Sequence, residues 1–109
     1  MAESLHIDGT ESVYDLRMHH LRTHADATLD VAALRVVLNR FLVGELSSDG
    51  LEELAEFYET TEWVVVKPDE AALINDAVFM LANPAINLPN SRQKVRDILI
   101  ELGGLIDRF

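Results

Sequence analysis

The chain has no cysteine, so it carries no disulfide framework, no thiol nucleophile and no cysteine-ligated metal. Glycine is scarce, and its one adjacent pair, Gly103-Gly104, falls late in an amphipathic pattern, not between a strand and a helix, which leaves no phosphate-cradling loop. No apolar run approaches the roughly 18 residues of a membrane span. The polar N-terminus has no signal-peptide pattern, so the expected location is the cytoplasm. Basic residues are the other shortage. With 9 Lys and Arg against 19 Asp and Glu, the formal net charge is -10. That sign repels nucleic acid phosphates and anionic membranes and favours a cationic protein partner.

What is present is enough for one core. A hydrophobic fraction of 49% over 109 residues excludes wholesale disorder and fits a single unit, with residues 1–9 read as a flexible N-terminal arm ending at the Asp8-Gly9 turn signal and 10–109 as one helical-bundle domain. From Thr10 the pattern Ser12-x-x-Asp15 suits a capped start, with Val13, Leu16 and Leu21 as the apolar side of a helix ending near His24; Met18 is an alternative chain start. Thr28 is read as the next N-cap, with Val31, Leu34, Leu38, Phe41 and Leu42 as a core stripe that stops at Gly44. The same helix carries Leu29, Val36 and Val43 on another side, a face for a neighbouring helix or for a homodimer.

Ser47 or Ser48 caps a third helix. The β-branched run 63–66 follows, read here as a buried connector because no partner strand is visible, with an edge strand open to β-augmentation as the minority reading. Pro68 at a helix start and Asn83-Pro84 at its end bound an apolar helix expected to be central. Asn90-x-x-Gln93 then opens a last helix with Val95, Ile98, Leu99, Leu102, Ile106 and Phe109 on one side. The expected architecture is all-α, an antiparallel bundle of four to five helices.

The strongest functional signal is the third helix. Leu51, Leu54, Ala55 and Tyr58 form its apolar stripe, while Asp49, Glu52, Glu53, Glu56 and Glu59 fall roughly opposite with no Lys or Arg among them. Between Phe41 and Ser91 Lys67 is the only base, and Arg92, Lys94 and Arg96 cluster beyond, so the molecule is expected to be electrically polar. Phe57 sits between the acidic side and the core stripe, where an aromatic can anchor an interface, and Trp63 is a second anchor. The expected partner-binding set is therefore Asp49, Glu52, Glu53, Glu56, Phe57, Glu59, Glu62 and Trp63.

His20 and His24 share a helical face at metal-ligand spacing beside His19, but Leu21 stands where the zincin signature needs Glu, so neither a metal nor another cofactor is expected. No serine nucleophile motif occurs, and the carboxylates lie at spacings of an exposed face, so no catalytic residue and no enzyme is expected.

The segment Phe41-Leu42-Val43-Gly44-Glu45-Leu46-Ser47 resembles the FL-x-GE-x-S turn of colicin-D-type immunity proteins, small acidic helical bundles that neutralise ribonuclease toxins. The helix of residues 74–81, the Asn83-Pro84 stop and the helix of residues 95–102 follow in similar order. The resemblance implies a cytoplasmic inhibitor whose carboxylates fill the basic groove of a nuclease, as in bacteriocin immunity; its matched residues look structural, so no contact residue carries over. The expected function is an immunity or antitoxin-like protein that blocks a basic toxin through the acidic helix. The alternatives are a phage-type inhibitor or nucleic acid mimic acting on a host nucleic-acid-binding complex, a homo-oligomeric adaptor, and a metal enzyme built on His20 and His24.

Overall fold

A computed structural model describes residues 4–85 and 89–103. It contains three short strands, β1 (Leu5–His6), β2 (Ala27–Leu29) and β3 (Val64–Val66), and five helices, α1 (Val13–Thr23), α2 (Val31–Leu42), α3 (Ser48–Thr60), α4 (Ala71–Ala82) and α5 (Arg92–Glu101). The strands form one parallel sheet in the order β1-β2-β3. The architecture is therefore mixed α/β, and the expected all-α bundle is overturned.

The correction follows from what a residue-by-residue pattern can carry. Each strand is two or three residues long, too short to show an alternation, and parallel partners are supplied by distant parts of the chain through helical crossovers. Leu5 pairs with Ala27 and Ala27 with Val64, while Leu29 pairs with Val66. These residues and Ile7 share the core side of the sheet. His6, Thr28 and Val65 form the opposite row, which stays partly open to solvent, unlike the doubly covered face usual for parallel sheets.

The chain read as an arm at residues 1–9 contributes, in its described part, strand β1 and the fully buried Ile7. Gly9 closes the segment at φ 93°, a left-handed conformation open to glycine. Its carbonyl accepts a hydrogen bond from Arg40 Nη1 at 2.9 Å. A chain starting at Met18 would lack Ile7 together with the buried Val13 and Leu16 of α1.

The helices start where short polar side chains satisfy free backbone amides. Ser12 and Asp15 form a reciprocal capping box on α1. Asp30 caps α2 by accepting from the Ala33 amide at 2.8 Å, so the start falls two residues later than the Thr28 reading, and Thr28 belongs to β2. Ser47 caps α3 through the Gly50 amide at 3.0 Å, and Ser91, one residue after the expected Asn90, caps α5 through the Lys94 amide at 3.2 Å. Pro68 opens a short 3-10 turn, Pro68–Glu70, that runs into α4.

α3 and α4 form the most extensive helix pair, α2 packs on α5 and α3, and α1 on α3. Ile7, Leu16, Leu29, Leu38, Leu51, Ile74 and Leu99 are all fully buried in one core. Each such side chain stabilises the fold by roughly 1.5–3 kcal/mol relative to exposure.

Three further expectations change. The Leu29, Val36 and Val43 face does not exist, because Leu29 is buried in β2 while Val43, just past the end of α2, is 70% exposed. α4 is not central: Leu73 and Phe79 are 47% and 45% exposed. Within the basic cluster of α5, Lys94 is buried and donates Nζ to the Met80 carbonyl at 2.7 Å and to Asn90 Oδ1 at 2.9 Å, burial lowering its pKa. The expected Ile106 and Phe109 of the last helix lie outside the described residues. No helix among the described residues is long and apolar enough to cross a membrane.

Candidate functional site

The acidic surface is built by the amphipathicity of α3. Leu51, Leu54, Ala55, Phe57 and Tyr58 are buried. The 3.6-residue period then forces Asp49, Glu53, Glu56 and Glu59 outward, with Glu52 half-buried at the margin. Asp49 lies in the first turn, where the helix dipole favours it. Asp49, Glu52, Glu53 and Glu56 line one open depression of about 290 Å³. A second hollow of about 250 Å³ shares Asp49 and Glu52 and continues to Pro84, Pro89 and Asn90 beyond α4.

No counter-ion among the described residues serves these carboxylates. Among the described residues the ion pairs are His6–Asp30 and Arg40–Glu45, both away from this depression. Like charges at i,i+3 and i,i+4, such as Asp49 with Glu52 and Glu53 or Glu52 with Glu56, therefore stand uncompensated.

The sequence-predicted set separates into three patches. Asp49, Glu52, Glu53 and Glu56 stay together. Glu59 and Glu62 instead rim a groove of about 240 Å³ on the other flank of α3, next to Val64 and Val66 of β3. Phe57 and Trp63 belong to a third hollow of about 350 Å³ with Arg17, His20 and Leu21 of α1.

Phe57 is 5% exposed, not the half-exposed anchor its helical angle suggests. The Trp63 ring meets its edge at 5.5 Å and the Arg17 guanidinium lies 5.3 Å over its face. That last spacing is within range of a cation–π attraction. Trp63 in turn stacks flat on His20, with ring centroids 4.2 Å apart. His20 Nδ1 donates to the Ala25 carbonyl at 2.8 Å, which fixes the ring as a wall of the hollow. His24 caps α1 in a left-handed conformation at φ 56°, with its ring edge-on to His20 at 6.3 Å.

Arg17 and Leu21 are the residues the sequence reading missed. Leu21 was placed on the core side of α1 but is 65% exposed, as is Tyr14 at 69%. The signal was present, since Tyr14, Arg17 and Leu21 follow each other at 3,4 spacing and mark an outward stripe. The Phe41–Ser47 segment forms the turn between α2 and α3, where Gly44 adopts φ 87° and Ser47 caps α3, so its matched residues are structural.

Comparison with known proteins finds no matching family model, no matching curated protein and no matching solved structure.

Proposed function

We propose that this chain is an immunity or antitoxin-like inhibitor that binds a basic protein, most simply a nuclease toxin, through the acidic face of α3. The observation that carries this reading is the depression lined by Asp49, Glu52, Glu53 and Glu56 with no ion-pair partner among the described residues. Like charges held together without compensation cost the free protein stability, a cost a cationic partner offsets on binding. The formal charge of -10 supports the same sign of partner. Steering by such a field raises association rates by roughly 10- to 1000-fold at low ionic strength. The resemblance of the Phe41–Ser47 turn to colicin-D-type immunity proteins adds the toxin to the reading. In mechanism, the carboxylates occupy the positions that substrate phosphates would take in a nuclease groove, and exclusion of substrate follows from occupancy.

The test is capture of partners from a native lysate at low and moderate salt by the wild type and by the combined variant Glu52→Gln, Glu53→Gln and Glu56→Gln. A stoichiometric basic protein that salt releases and the variant fails to hold supports the reading. Equal capture by the variant refutes it.

A further inference from the structure

The outer edge of the sheet carries a second interaction surface. In β3 the odd-numbered residues face β2: the Trp63 carbonyl accepts from Ala27 N at 2.8 Å, and Lys67 N donates to the Leu29 carbonyl at 2.9 Å. The even-numbered residues therefore turn their backbone groups away from the sheet. Val64 N donates locally to the Thr61 carbonyl at 3.1 Å, which leaves the Val66 N–H and the Val64 and Val66 carbonyls facing outward with no partner among the described residues.

This edge opens on the groove of about 240 Å³ between the end of α3 and α4. Its apolar wall is Val64, Val66 and Val78, and Glu59 and Glu62 stand on its rim. An aliphatic wall topped by carboxylates suits a long side chain with an apolar stem and a cationic head. On the opposite side of the sheet Val65 is 42% exposed, which suits a β-branched neighbour.

We propose that β3 accepts an extended cationic segment of a partner protein as a fourth strand, with its Lys or Arg stems in the groove and their heads on Glu59 and Glu62. The occupant is not a second copy of this chain, because edge-to-edge pairing would bring two sets of Glu59 and Glu62 together between molecules of charge -10 each. The proposal rests on the basic-partner reading only for the sign of the occupant's charge. Strand addition supplies main-chain hydrogen bonds, and the groove selects alternate side chains.

The probe is an acetylated, amidated peptide alternating lysine and valine, titrated into isotope-labelled protein and followed by amide resonances and amide exchange. Saturable shifts centred on β3, with slowed exchange of the Val66 amide, are expected. Val66→Pro removes an N–H that bonds nothing among the described residues, and it should weaken binding about tenfold or more, as should Glu59→Gln with Glu62→Gln. The same peptide N-methylated on its backbone should not bind the wild type, a result that decides the matter even where Val66→Pro fails to fold. Binding that survives N-methylation, shifts confined to the Asp49–Glu56 depression, or a self-associated dimer that already protects Val66 overturns the proposal. The Glu52, Glu53 and Glu56 variant should still bind the peptide with shifts centred on β3, so loss of partner capture there and loss of peptide binding at Val66 are separate failures.

Discussion

Tyr58 carries a hydroxyl that is buried without a hydrogen-bond partner among the described residues, while its ring fills the seam beneath α3. An unmatched buried hydroxyl costs its desolvation and returns nothing. Tyr58→Phe should therefore raise stability by up to about 1 kcal/mol in urea denaturation. Burial, with a smaller contribution from Glu11, also pushes the Tyr58 phenol above its ordinary value of 10.0. The native state then holds a proton that the unfolded chain releases, so stability falls as pH rises past 10.0, and Tyr58→Phe should flatten that decline. Gly9 makes the opposite case. A Cβ there would lie 2.5 Å from the Ala33 carbonyl oxygen and 2.7 Å from Val36 Cβ, at a φ of 93°. Gly9→Ala should cost roughly 1–3 kcal/mol through strain and displacement of α2, read as a lower urea midpoint. The Asp8-Gly9 dipeptide announced this turn in the sequence; the packing of Gly9 against Ala33 and Val36 was not visible there.

At the scale of elements, helices were legible because their signals are local. The Ser12-x-x-Asp15 box, the Val31 to Leu42 stripe and the Asn83 stop lie within a few turns of the residues they govern. The start of α2 was misplaced because Thr28 and Asp30 are both good caps, and only the pairing of Thr28 into β2 decides between them. Asp30→Ala should thus cost about 1–2 kcal/mol of stability while Thr28→Ala costs less, as calorimetry would show. Asp30 also joins elements, since its Oδ2 lies 2.7 Å from His6 Nε2 on β1. The hydrogen bond that His6 donates to Asp30, and then the Asp30 charge, raise the His6 pKa. Burial pushes Asp30 up, but the bonds from His6 and the Ala33 amide outweigh it and hold the carboxyl low. The His6 contribution is present below the ordinary histidine value of 6.5 and is lost as pH rises through the raised one. The Asp30 contribution is lost as pH falls through its lowered value, so the contact is strongest in mildly acidic solution. A His6 proton titration should show an elevated midpoint that Asp30→Asn returns to the ordinary range.

For the whole molecule, charge distribution is the dominant property. The α3 carboxylates repel one another in the free protein, so Glu52→Gln, Glu53→Gln and Glu56→Gln together should stabilise the isolated chain by a few tenths of a kcal/mol per relieved pair. Raising salt should increase the melting temperature of the wild type more than that of this variant, because screening relieves what the substitutions remove. An equal salt response would mean that the α3 depression is not where the repulsion is concentrated. The basic counterpole expected at residues 92–96 is weaker than composition suggests. Lys94 is drawn inside to serve Asn90 and the Met80 carbonyl, which leaves Arg92 and Arg96 as its exposed charges.

Properties that depend on neighbours along the chain could be read from the residues alone: helix positions, the caps of α1 and α3, the sign of the charge and the carboxylate face of α3. Tertiary structure alone decided that Leu5, Ala27 and Val64 lie side by side in a parallel sheet, that Phe57 is buried under Arg17 and Trp63, and that Glu59 and Glu62 leave the acidic face for a groove beside β3. The physical reason is range. A helix satisfies its hydrogen bonds and displays its faces within a few residues, whereas a short parallel strand is defined by partners that only the folded core brings to it.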